Sequence, residues 1–307
     1  MNNITDFDIK KAFTFIHYNQ LPPILIDEYW NHYMKIFNIE NEYLEFSEKY
    51  KMDGFKDYND FENKFNDTVQ KCSKLFLKKS LNDTINCLMK HCDGLDETWM
   101  PQFTNPPSGN NIVKVDIHCA GETLLKRLNL FNDDYESGYD IIDKISQFET
   151  FKNYKTTRIC MFRLAGLHQN KYLFALISNI LLKEIYESDD NVIKMLNSKY
   201  PVGKTACDGL IYTTGNDNLD KISGEYTYKD MNYHIDTFDV NNIDVLGKVY
   251  LNLWNHHESF GTHAVIPMFI PITNCILNGR IPTKYDLAIG YEDQIFFYLD
   301  ENDYKII

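Results

Sequence analysis

The segment from Pro101 to Asn111 (Pro-Gln-Phe-Thr-Asn-Pro-Pro-Ser-Gly-Asn-Asn) constrains the fold of this chain more than any other. It is rich in turn formers and poor in aliphatic residues, so no helix or central strand runs through it. The texture differs on its two sides. Before it, apolar residues recur at helical spacing; after it, short strands are mixed with helices. This predicts an α+β fold: a helical region over residues 1–100, then a small, mainly antiparallel sheet packed with helices over residues 101–307.

In the first region, Phe7, Ile9, Phe13, Phe15 and Ile16 mark an amphipathic stretch that Leu21-Pro22-Pro23 stops. A second carries Tyr29, Trp30, Tyr33, Met34 and Phe37, and further periodicity runs from Phe61 through Val69 and Phe76 to Met89. Aromatic stripes of this kind are read as core. In the second region, Ile112 to Ile117 reads as a strand and Ala120 to Leu128 as a helix. Helices are expected around Tyr139 to Phe148 and, as one long element, from about Thr156 to Tyr186. Cys207 to Thr213 and Glu225 to Phe238 read as strands, Ile243 to Trp254 as a helix and Val265 to Ile272 as an edge segment. Two short strands are expected at Leu287 to Gly290 and Gln294 to Leu299.

The formal net charge of −13 makes the whole molecule repel nucleic acid and anionic membranes. A local basic stretch runs against that total. Phe151 to Lys183 holds Lys152, Lys155, Arg158, Arg163, Lys171 and Lys183 without an acidic residue, which suits an anionic ligand or a solvated helix face. The seven cysteines form no CxxC pair, so free thiols in a reducing compartment are expected. The start of the chain lacks a secretory pattern, and no apolar run approaches the roughly 20 residues of a membrane span. The expected location is intracellular rather than secreted.

Two carboxylates carry the functional reading. Asp116 ends a strand just before a helix, where a rigid element opens onto a cleft, and Asp208 sits in an apolar stretch able to turn back beside it. Such a pair holds divalent metals roughly 4 Å apart for phosphoryl transfer. Arg158, Arg163 and Lys171 would then contact the phosphates, since guanidinium forks match phosphate oxygens. The plainer alternative is that Asp116 caps the helix beginning near Cys119 or Ala120 and that Asp208-Gly209 is a turn.

Three stretches resemble motifs of family A (polymerase-I-like) DNA polymerases. Val115-Asp116-Ile117-His118-Cys119-Ala120 is similar to the first palm motif, and Thr157 to Leu167, with Arg158 and Arg163, to the fingers-helix motif. Ala206-Cys207-Asp208-Gly209-Leu210-Ile211-Tyr212 is similar to the third. Their order along the chain is the family's. The resemblance implies template-directed nucleotide addition with two Mg2+ ions on Asp116 and Asp208. It also implies a nucleotide triphosphate on Arg158 and Arg163, a primer–template nucleic acid, a thumb-like residues 1–100 and palm- and fingers-like residues 101–307. A viral protein working in the cytoplasm or a viral factory would fit. The chain departs from the family with Cys207 in place of His, Gly209 in place of Glu, and Glu122 one position late. A degenerate palm, or a catalytically inactive protein that binds a protein partner through an aromatic surface, is therefore the alternative.

Other clusters read more weakly. His256, His257, Glu258 and His263 suit zinc or a helix-terminal polar cluster, and Cys87, His91 and Cys92 pair metal-ligating types without a known spacing. Gly203-Lys204-Thr205 lacks the earlier glycine of a phosphate loop, and no nucleophile elbow is present.

Overall fold

A computed structural model describes residues 4–16, 26, 30, 31, 34, 39–96, 98–103, 111–168, 170–205, 208–238, 289–292 and 295–298. The fold is α+β, with helices first and an antiparallel sheet after them. Helices α1 (Asp6–Ile16), α2 (Glu40–Met52), α3 (Tyr58–Ser73) and α4 (Leu81–Cys92) precede strand β1 (Asn111–Ile117). Side chains start two of them: Asp57 accepts from the Asp60 amide at the head of α3, and Ser80 from the Asp83 amide at the head of α4. Their aromatic stripes are core, as their spacing predicts. Phe13, Phe46, Tyr50, Phe55, Phe61 and Phe65 are essentially inaccessible, and Phe46 meets Tyr154 edge-on at 5.7 Å. Of the apolar residues that mark the Tyr29–Phe37 stretch, Trp30 and Met34 are described, and both are helical and buried.

After β1 come α5 (Ala120–Arg127), α6 (Gly138–Ile145) and α7 (Lys155–Leu164). The single helix expected from Thr156 to Tyr186 is in fact interrupted. Gly166 holds a left-handed φ of +79°, Leu167 N donates to Phe162 O and Gly166 N to Arg163 O, so α7 closes in a Schellman motif. Asn170 then caps α8 (Lys171–Leu176) by accepting from the Tyr172 and Leu173 amides at 3.1 Å. A π-helical turn over Ile177–Leu182 leads into α9 (Lys183–Tyr186), and α10 (Asn191–Lys199) follows under an Asp190 cap.

The sheet contains β2 (Val202–Lys204), β3 (Gly209–Gly215), β4 (Gly224–Tyr228) and β5 (Met231–Phe238) in the order β2-β3-β1-β5-β4. Strand β1 is its centre, antiparallel to β3 on one side and β5 on the other. Val113, Val115 and Ile117 point into the core together with Tyr233 and Ile235, while Lys114 and Asp116 alternate onto the open face. Two further strands, β6 (Ile289–Glu292) and β7 (Ile295–Tyr298), form a separate antiparallel pair close to where they were expected. The expected helix at Ile243–Trp254, the segment Val265–Ile272 and most of the Pro101–Asn111 linker lie outside the described residues. No helix among the described residues is long and apolar enough to cross a membrane.

Charge ties the back of α5 to the sheet. Arg127 donates from Nη1 to Glu184 at 2.6 Å and from Nε to Asp230 at 2.8 Å, and Lys229 also pairs with Glu184. The Arg127 hydrogen bond lowers Asp230. Burial alone would raise Glu184, but hydrogen bonds from Lys229 and Arg127 outweigh it and leave the carboxyl lowered. Depressed carboxyls stabilise the fold above their unfolded range of about 4, and that stabilisation is lost as pH falls through the folded values. Arg127→Leu is expected to cost on the order of 1 kcal/mol at neutral pH, solvent screening at half-exposed Asp230 keeping it small. It should also flatten the acid limb of a plot of melting temperature against pH.

Candidate functional site

Asp116 stands at the end of the central strand, its side chain about one fifth exposed, with Lys114 Nζ 3.4 Å from Oδ1 and His234 Nε2 4.0 Å from Oδ2. It does not cap α5: the cap position belongs to Cys119, whose left-handed φ of +51° turns the chain from strand to helix. Across the ladder Asp116 faces Gly209, and the next rung is closed by Ile117 N donating to Asp208 O at 3.0 Å. The two aspartates thus lie on neighbouring strand segments, one rung apart. Asp208 precedes β3 at a bend and is half-buried, so the pleat of β3 does not dictate its side chain. Gly209 gives Asp116 its room, since a Cβ there would lie 3.2 Å from Asp116 Oδ1 and 3.1 Å from Val115 O.

The basic residues divide. Arg158, half-buried on α7, lies with its guanidinium 5.5 Å over the Tyr139 ring, and its Nε is buried without a hydrogen bond. Burial pushes the Cys119 thiol up, and Arg158 is the strongest of the charges that pull it back, followed by Lys126 and Lys155. The basic end of α7 is therefore close to the β1–α5 junction. Arg163 and Lys171 face solvent. Five residues apart, Arg158 and Arg163 point about 140° from each other around the helix axis.

The open face of the sheet holds residues to which the sequence reading assigned no role. His234 pairs with Asp116 on one side and with Glu225 on the other, and His118 N donates to Asn232 O one rung further along. His118 Nε2 is 2.8 Å from His234 Nδ1 and 3.4 Å from Glu225 Oε2, while His234 Nε2 bonds Asp236 Oδ2 at 3.0 Å. The Asp236 bond holds the His234 imidazole above its ordinary range, against burial, which pushes it down. His118, Glu225 and His234 are the one group of potential metal ligands among the described residues.

Compared with family models, characterised proteins and solved structures, the chain matches none.

The remaining sequence candidates fall away or out of view. Cys87 Sγ comes within 3.8 Å of His91 Nδ1, but that nitrogen lies 2.9 Å from Cys87 O and Cys92 Sγ donates to Tyr172 O, so the three do not converge. Gly203-Lys204 belongs to edge strand β2, where a Cβ on Gly203 would sit 3.0 Å from the Phe103 backbone. The glycine there serves strand packing. His256, His257, Glu258 and His263 lie outside the described residues.

Proposed function

We propose that the chain is a nucleotidyltransferase-like protein built as a minimal polymerase palm, in which Asp116 and Asp208 carry magnesium-dependent phosphoryl transfer. The observation that supports this most is the backbone bond between Ile117 and Asp208, which brings the backbones of two aspartates, 92 residues apart in sequence, onto neighbouring rungs. Both are oxygen donors, the class that magnesium prefers, and both adjoin the rigid centre of a sheet. Magnesium held by these carboxylates supplies charge stabilisation at the transferring phosphoryl group. Arg158 beside the strand-to-helix junction serves the triphosphate, with Arg163 and Lys171 further out along the same basic stretch.

Equilibrium binding of a nucleoside triphosphate tests this reading. The expected result is micromolar affinity that requires magnesium, disappears in EDTA and weakens in Arg158→Ala. Binding that ignores magnesium would contradict it.

A second reading, a catalytically inactive palm kept as an interaction protein, is favoured by the contacts around Asp116. Its carboxylate already has Lys114 beside it, and residue 209 offers no third acidic group in the space that Asp116 fills. Among the described residues the large exposed hydrophobics include Phe7, Leu44, Met52 and Leu164, so any protein-binding surface there is more aliphatic than aromatic.

A further inference from the structure

We infer that His118, His234 and Glu225 form a binding site for a divalent transition ion of zinc's class on the open face of the sheet. The three residues come from the turn just past β1, from β5 and from β4, and the ladder sets them side by side: Glu225 is directly opposite His234, and His118 follows Asp116 by two residues. Their donor atoms lie within 4.8 Å of one another, a spread that a small side-chain rotation closes around one ion. Ligands about 2.0–2.2 Å from an octahedral or tetrahedral centre lie about 2.8–3.6 Å from one another. His118 Nε2 is already 2.8 Å from His234 Nδ1 and 3.4 Å from Glu225 Oε2. The two imidazole planes cross at 76° with their centroids 4.8 Å apart.

The second shell is in place as well. A metal-bound imidazole is normally held through its other nitrogen by a carboxylate. His234 Nε2 has such a partner in Asp236 Oδ2 at 3.0 Å, which leaves the Nδ1 lone pair directed at His118. One proton is shared across the His118–His234 contact. An ion takes its place when His118 adopts the tautomer protonated at Nδ1, so both imidazoles bind while neutral.

Two nitrogens and one carboxylate favour zinc, nickel, cobalt or copper over magnesium, which takes oxygen ligands. With three protein ligands on a face where His118 is 41% and Glu225 70% exposed, the fourth position is left to water or a substrate atom. Asp116 lies on the other side of the His234 ring, 4.0 Å from Nε2, and is not a ligand. The inference stands apart from the nucleotidyl-transfer reading, because neither Asp208 nor the basic helix takes part.

The test is calorimetric titration of the EDTA-stripped full chain with Zn2+, with Co2+ absorption as an independent view of the coordination. One ion per chain at micromolar affinity or tighter is expected, together with visible Co2+ bands of a nitrogen-containing site. His118→Ala and His234→Ala should each weaken binding by about two orders of magnitude, Glu225→Gln less, and Asp236→Asn by about tenfold or more. Glu48→Gln, at an exposed position of α2, should leave the affinity unchanged. His118 is exposed enough that its replacement spares the fold, and a thermal melt checks this. Absence of Zn2+ binding at millimolar concentration, or wild-type affinity in a folded His118→Ala variant, overturns the site.

Discussion

Phe61→Ala is expected to destabilise the protein by about 3–5 kcal/mol, a large part of the 5–15 kcal/mol that holds a typical domain together. The ring is fully inaccessible. It lies 5.5 Å from Tyr50, 5.3 Å from Phe55 and 5.4 Å from Phe151, so truncation leaves a cavity walled by rigid rings. Aromatic neighbours in such a cluster collapse poorly into the space vacated. The effect extends beyond stability. Phe151 and Tyr154 lead directly into α7, whose Arg158 stands beside the Cys119 junction, so loosening this cluster loosens the basic arm of the proposed site. Urea unfolding should show a lower midpoint for Phe61→Ala, while Phe61→Leu, which keeps most of the buried volume, should lose much less. Equal loss in the two variants would mean that the cluster tolerates a void and is not the keystone described.

The helical first region and the sheet after it were legible because their signals are local. Val113, Val115 and Ile117 alternate with Lys114 and Asp116, and that period alone identifies β1 and the side it buries. The aromatic stripes of α1 and α3 likewise state their own core face. The break after Leu164 was also written in the sequence, as Gly166 followed by the capping Asn170, but continuous apolar content through Phe174 to Leu182 masked it. Helix α10 was missed although its Asp190 cap and the spacing of Ile193 and Leu196 announce it, because the run is only nine residues long.

The site was legible only in part. Asp116 stands out because it is a carboxylate near the end of an alternating strand, just before a helix. Its neighbour across the sheet does not, because the partnership of Asp116 with His234 depends on the register between β1 and β5, and nothing local in either strand encodes that register. A shift of one residue would have sent His234 into the core and left Tyr233 on the open face. Glu225, His234 and Asp236 are ordinary polar positions of an alternating meander until pairing sets them around His118. Gly209 has a physical reason that the sequence alone does not show: a Cβ there would lie 3.0 Å from Thr205 Oγ1, 3.1 Å from Val115 O and 3.2 Å from Asp116 Oδ1.

The most direct test of the central claim is magnesium-dependent primer extension by the full chain, compared with Asp116→Asn and Asp208→Asn. Each substitution keeps size and removes the charge that would hold a metal, so melting temperatures should change little. The account predicts extension by the unaltered protein and a loss of about three orders of magnitude or more in each variant, equivalent to about 4 kcal/mol in the barrier. Extension that survives either substitution, or no extension by the unaltered protein at any magnesium concentration, would contradict it.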